Sequence, residues 1–172
     1  MQKQFFFSIS ILIVMYIFGR KILSGTHRIF SSAFMLPLIP LIPRKCDSYG
    51  CGNFGASRDG GKRWHMGQDY IAREGQPVFS PIRGTVSAGT AYADGRYPEL
   101  RRVTITGTAA RVNLMYVMPD VAAGQTVEAG ELIGYAQSLQ KRYAGIPDHV
   151  HVEVSISGVK VDPSPYFKPI QA

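Results

Sequence analysis

Two hydrophobic patterns divide this chain. From Phe5 to Phe18 apolar and small residues follow one another without a break, with Ser8 and Ser10 as the only polar members. A run of that length suits the core of an export signal better than a full membrane span, which needs about 20 apolar residues. Lengthening it through Gly19 to Leu23 would bury Arg20 and Lys21. Residues 1–23 are therefore expected to be a signal peptide or an uncleaved membrane anchor. Ser31-Ser32-Ala33 offers only a weak cleavage site, and Arg20, Lys21 and Arg28 on the downstream side would by themselves favour holding that side in the cytoplasm. Residues 24–43 follow as a linker, in which Pro37, Pro40 and Pro43 recur at intervals of three and exclude a regular helix.

Beyond residue 43 the pattern changes to short alternating runs. The lead-in, 44–64, is glycine-rich and polar and is expected to be irregular. The stretch 76–89 reads as two short strands broken by Pro81 and Gly84, 102–107 alternates with period two, and 112–118 reads as one further strand. A tight turn between strands is expected within 121–134. The last strand is the clearest: in 149–156, His149, His151, Glu153 and Ser155 share one face, and Val150, Val152, Val154 and Ile156 the other. No helix-period segment of useful length occurs after residue 43. The expectation is a mostly β fold, a single antiparallel β-sheet domain over 44–172.

Charge follows the same division. The chain carries +7, and residues 1–43 hold Lys3, Arg20, Lys21 and Arg28 with no acidic residue, which leaves 15 basic against 12 acidic residues in the remainder. A balance of +3 with scattered cations lacks the concentrated basic face of nucleic-acid-binding domains, so no nucleic-acid partner is expected. Cys46 and Cys51 are the two cysteines of the chain. Their four-residue spacer, containing Gly50, permits a disulfide, and an even count in an exported chain favours one. A pair of free thiols is the alternative.

Candidate chemistry gathers on histidine. Three of the four histidines fall in two compact motifs, His65-Met66-Gly67-Gln68-Asp69 and His149-Val150-His151. Residues i and i+2 of a strand point to one side, so His149 and His151 can address a single small site. Gly67 would let the backbone bend so that His65 and Asp69 converge. Two imidazoles and a carboxylate suit zinc and leave a fourth position for water. His27, in the targeting region, is read as unrelated. Trp64 is expected to pack in the core, with a wall of a binding groove as the alternative.

The order of these motifs resembles that of the lysostaphin-type zinc endopeptidases of peptidoglycan, whose signatures are His-x-x-x-Asp and a distant His-x-His. Within that family the likeness is closer to the leukocyte cell-derived chemotaxin-like members. It covers about 46–167 and includes Cys46-Asp47-x-x-Gly50-Cys51-Gly52, Val78-x-Ser80-Pro81-x-x-Gly84, Leu139-Gln140-Lys141-x-Tyr143-x-Gly145-Ile146, and Asp162-Pro163-x-x-Tyr166. The resemblance implies the lysostaphin-type, duplicated hybrid motif-like β architecture. It implies His65, Asp69 and His151 as ligands of Zn2+ and His149 as the catalytic histidine. It further implies peptidoglycan or a peptide as substrate, and an extracytoplasmic location in the periplasm or at the cell surface, with attachment to a membrane through the N-terminal segment if that segment is uncleaved.

One departure bears on activity. The family carries another histidine in a Tyr-x-His-Leu strand, and on the reading Tyr116-Val117-Met118-Pro119 it is Met118 that stands in its place. A thioether can neither donate a strong hydrogen bond nor transfer a proton. Two functions are thus expected in parallel: a zinc metalloendopeptidase of peptidoglycan with His149 as general base, or a catalytically impaired zinc-binding module that binds a cell-wall or protein partner. Tyr116 could lend a hydroxyl to the site, and Glu153 could orient His151 or be an ordinary solvated edge charge. Asn113 and Tyr143 are candidates for the substrate path.

Overall fold

A computed structural model describes residues 41–167. The expected targeting segment, 1–23, and most of the linker, 24–43, lie outside the described residues.

Among the described residues, twelve strands and one short 3-10 turn make up the regular structure, in agreement with the expected antiparallel β class. A two-stranded ribbon, β1 (Ser57–Arg58) and β2 (Arg63–Trp64), closes the irregular lead-in. Then come β3 (Gln68–Ile71), β4 (Pro77–Phe79), β5 (Gly84–Thr90), β6 (Arg101–Thr106) and β7 (Arg111–Met115). After them follow β8 (Val117–Pro119), β9 (Thr126–Val127), β10 (Leu132–Ala136), β11 (His149–Ile156) and β12 (Val159–Val161). The main sheet has the order β12-β11-β7-β6-β5-β9, with β3 also paired to β11. A smaller sheet has the order β4-β10-β8.

Alternation explains the core. Val150, Val152 and Val154 of β11, Val103 and Ile105 of β6, and Val112 and Leu114 of β7 have no exposed surface. They meet Val78, Val117, Val127 and Ile133 in one continuous apolar cluster. Each fully buried side chain of this size contributes about 1.5–3 kcal/mol relative to exposure. The opposite face of β11 is left to carry His149, His151 and Glu153, so the alternation that builds the core also presents the polar side chains together.

The stretch 112–118, expected as one strand, is two. Tyr116 has φ +67°, a left-handed conformation unfavourable for a side chain with a Cβ. There the chain leaves the main sheet as β7 and enters the small one as β8, while the Tyr116 amide donates to the Arg101 carbonyl at 2.7 Å and its carbonyl accepts from the Gln137 amide at 2.9 Å. β12 completes a hairpin over Ser157 and Gly158, whose φ values of +50° and +81° are those of the tight turn that matches strand twist. Trp64 corrects its expectation. It is 60% exposed on the short β2 strand, because that ribbon stands off the main sheet and offers no core to enter.

Candidate metal centre

Register brings the two histidine motifs together. β3 runs antiparallel to β11 with Asp69 directly opposite His151, so both side chains emerge on the same face. His65 arrives from the segment before β3, tied to the lead-in by its amide to the Ala56 carbonyl and by the Gly55 amide to its own carbonyl, each at 2.8 Å. Gly67 is needed for close approach. A Cβ there would stand 2.5 Å from the Val152 carbonyl oxygen and 2.6 Å from Cε1 of His151.

The hydrogen bonds fix which ring nitrogens face inward. Nδ1 of His65 is 2.8 Å from the Asn53 carbonyl oxygen. A carbonyl can only accept, so Nδ1 carries the proton and Nε2 turns a lone pair inward. That Nε2 lies 2.9 Å from Nδ1 of His151 and 3.2 Å from Oδ1 of Asp69. His151 Nδ1 is in turn 2.8 Å from the same carboxylate oxygen. The three donor atoms lie within 4.8 Å of one another, and all three residues are buried. Around a tetrahedral zinc with bonds near 2.0–2.1 Å, neighbouring donors stand roughly 3.3 Å apart, so the set fits a cation of that size after a slight expansion.

The electrostatics agree with a cation seat. Burial works to raise the Asp69 carboxyl, but the hydrogen bond from His151 and the other imidazoles beside it outweigh it and hold the group well below the usual carboxylate range. Burial likewise opposes charge on His151, yet its hydrogen bond to Asp69 and the nearby Glu153 carboxylate push it up to about 9.

Glu153 supports His151 from the other side. Its Oε1 is 3.6 Å from His151 Nε2 and accepts from Lys160 Nζ at 2.6 Å, while Oε2 accepts from Asn113 Nδ2 at 2.8 Å. Thr104 donates to the Asn113 Oδ1 at 2.8 Å and completes the row. Against its burial, Glu153 is held down at about 2 by His151, Lys160 and Asn113. Asn113 is thus a partner of Glu153.

His149 stands beside the trio. Its Nδ1 donates to the Pro147 carbonyl at 2.7 Å, and its Nε2 lies 3.6 Å from Asp69 Oδ2. The loop that delivers it is held by Asp148, whose Oδ1 accepts from the Leu139 amide at 2.8 Å and from Gln140 Nε2 at 2.9 Å. Gln140 also donates to the Ile146 carbonyl and accepts from the Gly145 amide, which accounts for the Leu139-Gln140 and Gly145-Ile146 pattern of the sequence. Burial lowers the pKa of His149, despite the opposing pull of Asp69. The Tyr116 ring meets His149 edge-on, 5.5 Å between centroids. The Tyr116 hydroxyl is 3.0 Å from that of Tyr92, which is 2.6 Å from that of Tyr143.

Met118 lies elsewhere. The turn at Tyr116 carries it onto β8, where it is 46% exposed and lines a cleft with Glu74, Glu99, Lys141 and Arg142 that the metal donors do not line. The methionine opposite His151 in the ladder is Met115 of β7, which packs with the Tyr116 cluster. Counting along an assumed unbroken strand hid it. Arg44 was also missed: it is 4% exposed and bonded to Asp69, and nothing in the local sequence marks it. Cys46 and Cys51 form a disulfide.

A model of peptidase family M23 matches residues 63–163, from β2 to the turn after β12. The chain belongs to peptidase family M23. Leukocyte cell-derived chemotaxin-2 of Mus musculus is 33% identical over 124 residues, spanning 72% of this chain and 78% of that protein. The catalytic domain of the antimicrobial peptidase lysostaphin from Staphylococcus simulans shares the fold at TM-score 0.53 and 23% identity, over 66% of this chain and 87% of that domain. A zinc containing peptidase from Vibrio cholerae does so at TM-score 0.54 and 22% identity, over 76% and 57% of the two chains. This M23 chain therefore carries a metallopeptidase-like module of lysostaphin-type fold.

Proposed function

We propose that the chain is an extracytoplasmic zinc metalloendopeptidase that cuts peptide bonds of peptidoglycan, with residues 44–172 as the working domain and residues 1–23 as its export signal or membrane anchor. The observation that carries this reading is the convergence of His65 Nε2, Asp69 Oδ1 and His151 Nδ1 beside the free nitrogen of His149. His65, Asp69 and His151 would hold the metal. Zinc bound there supplies a Lewis acid for the scissile carbonyl and lowers the pKa of a water molecule toward neutrality.

The chain's own residues do the remaining work. With Nδ1–H given to Pro147, neutral His149 keeps a lone pair on Nε2, and burial favours that neutral form. It can therefore take a proton from an attacking water and return it to the departing amine, the general-base and general-acid roles of a positioned imidazole. Glu153 and Asn113 hold the orientation of His151, as outer carboxylates do for ligating histidines.

A second reading is favoured by a specific observation. Beyond His65, His149 and His151 the chain has only His27, and Met115 is the residue facing His151 from β7. The developing oxyanion then lacks a second imidazole donor, a loss worth a hundredfold or more where one such donor is removed from other enzymes. On this reading the domain is a zinc-stabilised module that binds a wall peptide or a protein partner. Incubation of the zinc-loaded chain with peptidoglycan and with short glycine or stem peptides separates the two. New amino termini released by the wild type and not by His149→Ala support the peptidase. Binding without release defeats it.

A further inference from the structure

Arg44 precedes the region matched by the family model, yet it makes the closest polar contact with the Asp69 side chain outside the histidines. Its Nε and Nη2 both lie 3.1 Å from Asp69 Oδ2. Its Nη1 donates to the Gly50 carbonyl at 3.1 Å and to the Asp47 carboxylate. The backbones are joined as well: the Arg44 amide donates to the Asp69 carbonyl at 2.9 Å, and the Asp69 amide to the Gly52 carbonyl at 2.8 Å. Gly52 leaves no room for a side chain, since a Cβ would lie 2.6 Å from the Arg44 carbonyl oxygen and 3.1 Å from Cβ of Asp69. Segment 44–52 is thus a strap laid against the back of Asp69. The Cys46–Cys51 bridge closes it, and Asp47 and Gly50, the two groups that grip Nη1, lie inside the closed loop.

We infer that Arg44 is a positioning residue for Asp69, and that the bridged loop Cys46–Cys51 is the brace that keeps Arg44 in place; this rests on the reading of Asp69 as a metal ligand. The two carboxylate oxygens have separate tasks. Oδ1 faces His65 and His151, whereas Oδ2 is engaged by a guanidinium that cannot lose its proton. A fork of two N–H groups on one oxygen holds the rotation of the carboxylate, so Asp69 offers the metal a single oxygen in a fixed direction. Remove the fork and Oδ2 is free to turn toward the metal. Open the disulfide and the guanidinium loses the loop that aligns it.

The test uses the full chain and measures zinc affinity by competition with a chromophoric chelator, together with the visible spectrum of the cobalt-loaded protein. Arg44→Met is expected to bind zinc about tenfold to a hundredfold more weakly, the range for losing a partner of a ligand. Its cobalt absorption should fall as the second oxygen joins the metal and the coordination number rises. Arg44→Lys, which keeps a charge on Asp69 without the fork, should lose less. Reducing the wild type with a water-soluble phosphine, which yields two thiols and the phosphine oxide, should weaken zinc binding in the same direction. An Arg44→Met protein with wild-type affinity and spectrum overturns the inference and leaves the zinc reading intact. If Arg44→Met does not fold, unchanged affinity in both Arg44→Lys and the reduced wild type overturns it. A wild type that binds no zinc overturns the metal reading and this inference with it.

Discussion

Asp69 and His151 face each other across the β3–β11 pair, with Oδ1 and Nδ1 2.8 Å apart. The contact is made by residues 82 positions apart in sequence, so its geometry depends on strand register and not on either motif alone. A one-residue slip would turn His151 into the valine core. The same relationship dictates the behaviour of several nearby groups.

Gly67→Ala tests the close approach behind that pair. The added methyl would overlap the Val152 carbonyl and the His151 ring, neither of which can retreat without disturbing β11. Overpacking of this kind costs about 1–3 kcal/mol. A lower Tm and weaker zinc binding are expected together, read by calorimetry and metal titration.

Glu153→Gln removes the charge facing His151 Nε2 while preserving shape. Zinc affinity should fall roughly tenfold to a hundredfold, with Asn113→Ala milder because it acts through Glu153. Equal affinity in all three proteins would show that the row Thr104–Asn113–Glu153 serves the sheet and not the site.

His149→Ala should separate binding from chemistry. The residue lies beside the trio and is not one of its three converging donors, so zinc content is expected to stay near one per chain while peptide cleavage drops about a hundredfold or more. Loss of zinc on this substitution would make His149 a ligand.

Alkaline pH should destabilise the fold through its tyrosines. Burial, aided by Asp162, pushes Tyr70 up to about 12, and burial also raises Tyr92 and Tyr116. An unfolded tyrosine ionises near 10, so the neutral forms favour the folded chain. That contribution is complete below about pH 10 and is lost as pH rises through the higher folded values. Denaturant melts at pH 8, 10 and about 11.5 should show stability falling only over the last interval, while ultraviolet titration detects these phenols ionising late.

Much of this was legible because the chemistry and the core use one alternation. In β11 the valines require a buried face, and that requirement assigns the histidines to the other face without any structure. His65 and Asp69 were legible as a motif, and Gly67 does lie at a bend, but its close approach to β11 was not legible because it needs the partner strand. Met118 was displaced by the single left-handed residue Tyr116, whose conformation is stabilised by tertiary hydrogen bonds to Arg101 and Gln137 and leaves no local signature. Arg44 was invisible for a similar reason, since its partners Asp69 and Gly50 are assembled only when the strap closes. The β12 hairpin had a usable signal in Ser157-Gly158 ahead of Val159-Lys160-Val161.

The central claim is the metal seat formed by His65, Asp69 and His151. Its most direct measurement is zinc content after exhaustive dialysis, by elemental analysis, for the wild type, His65→Ala, Asp69→Ala and His151→Ala. One zinc per wild-type chain, with marked loss in each of the three variants, is the expected result. Undiminished zinc in the variants, or none in the wild type, contradicts the account.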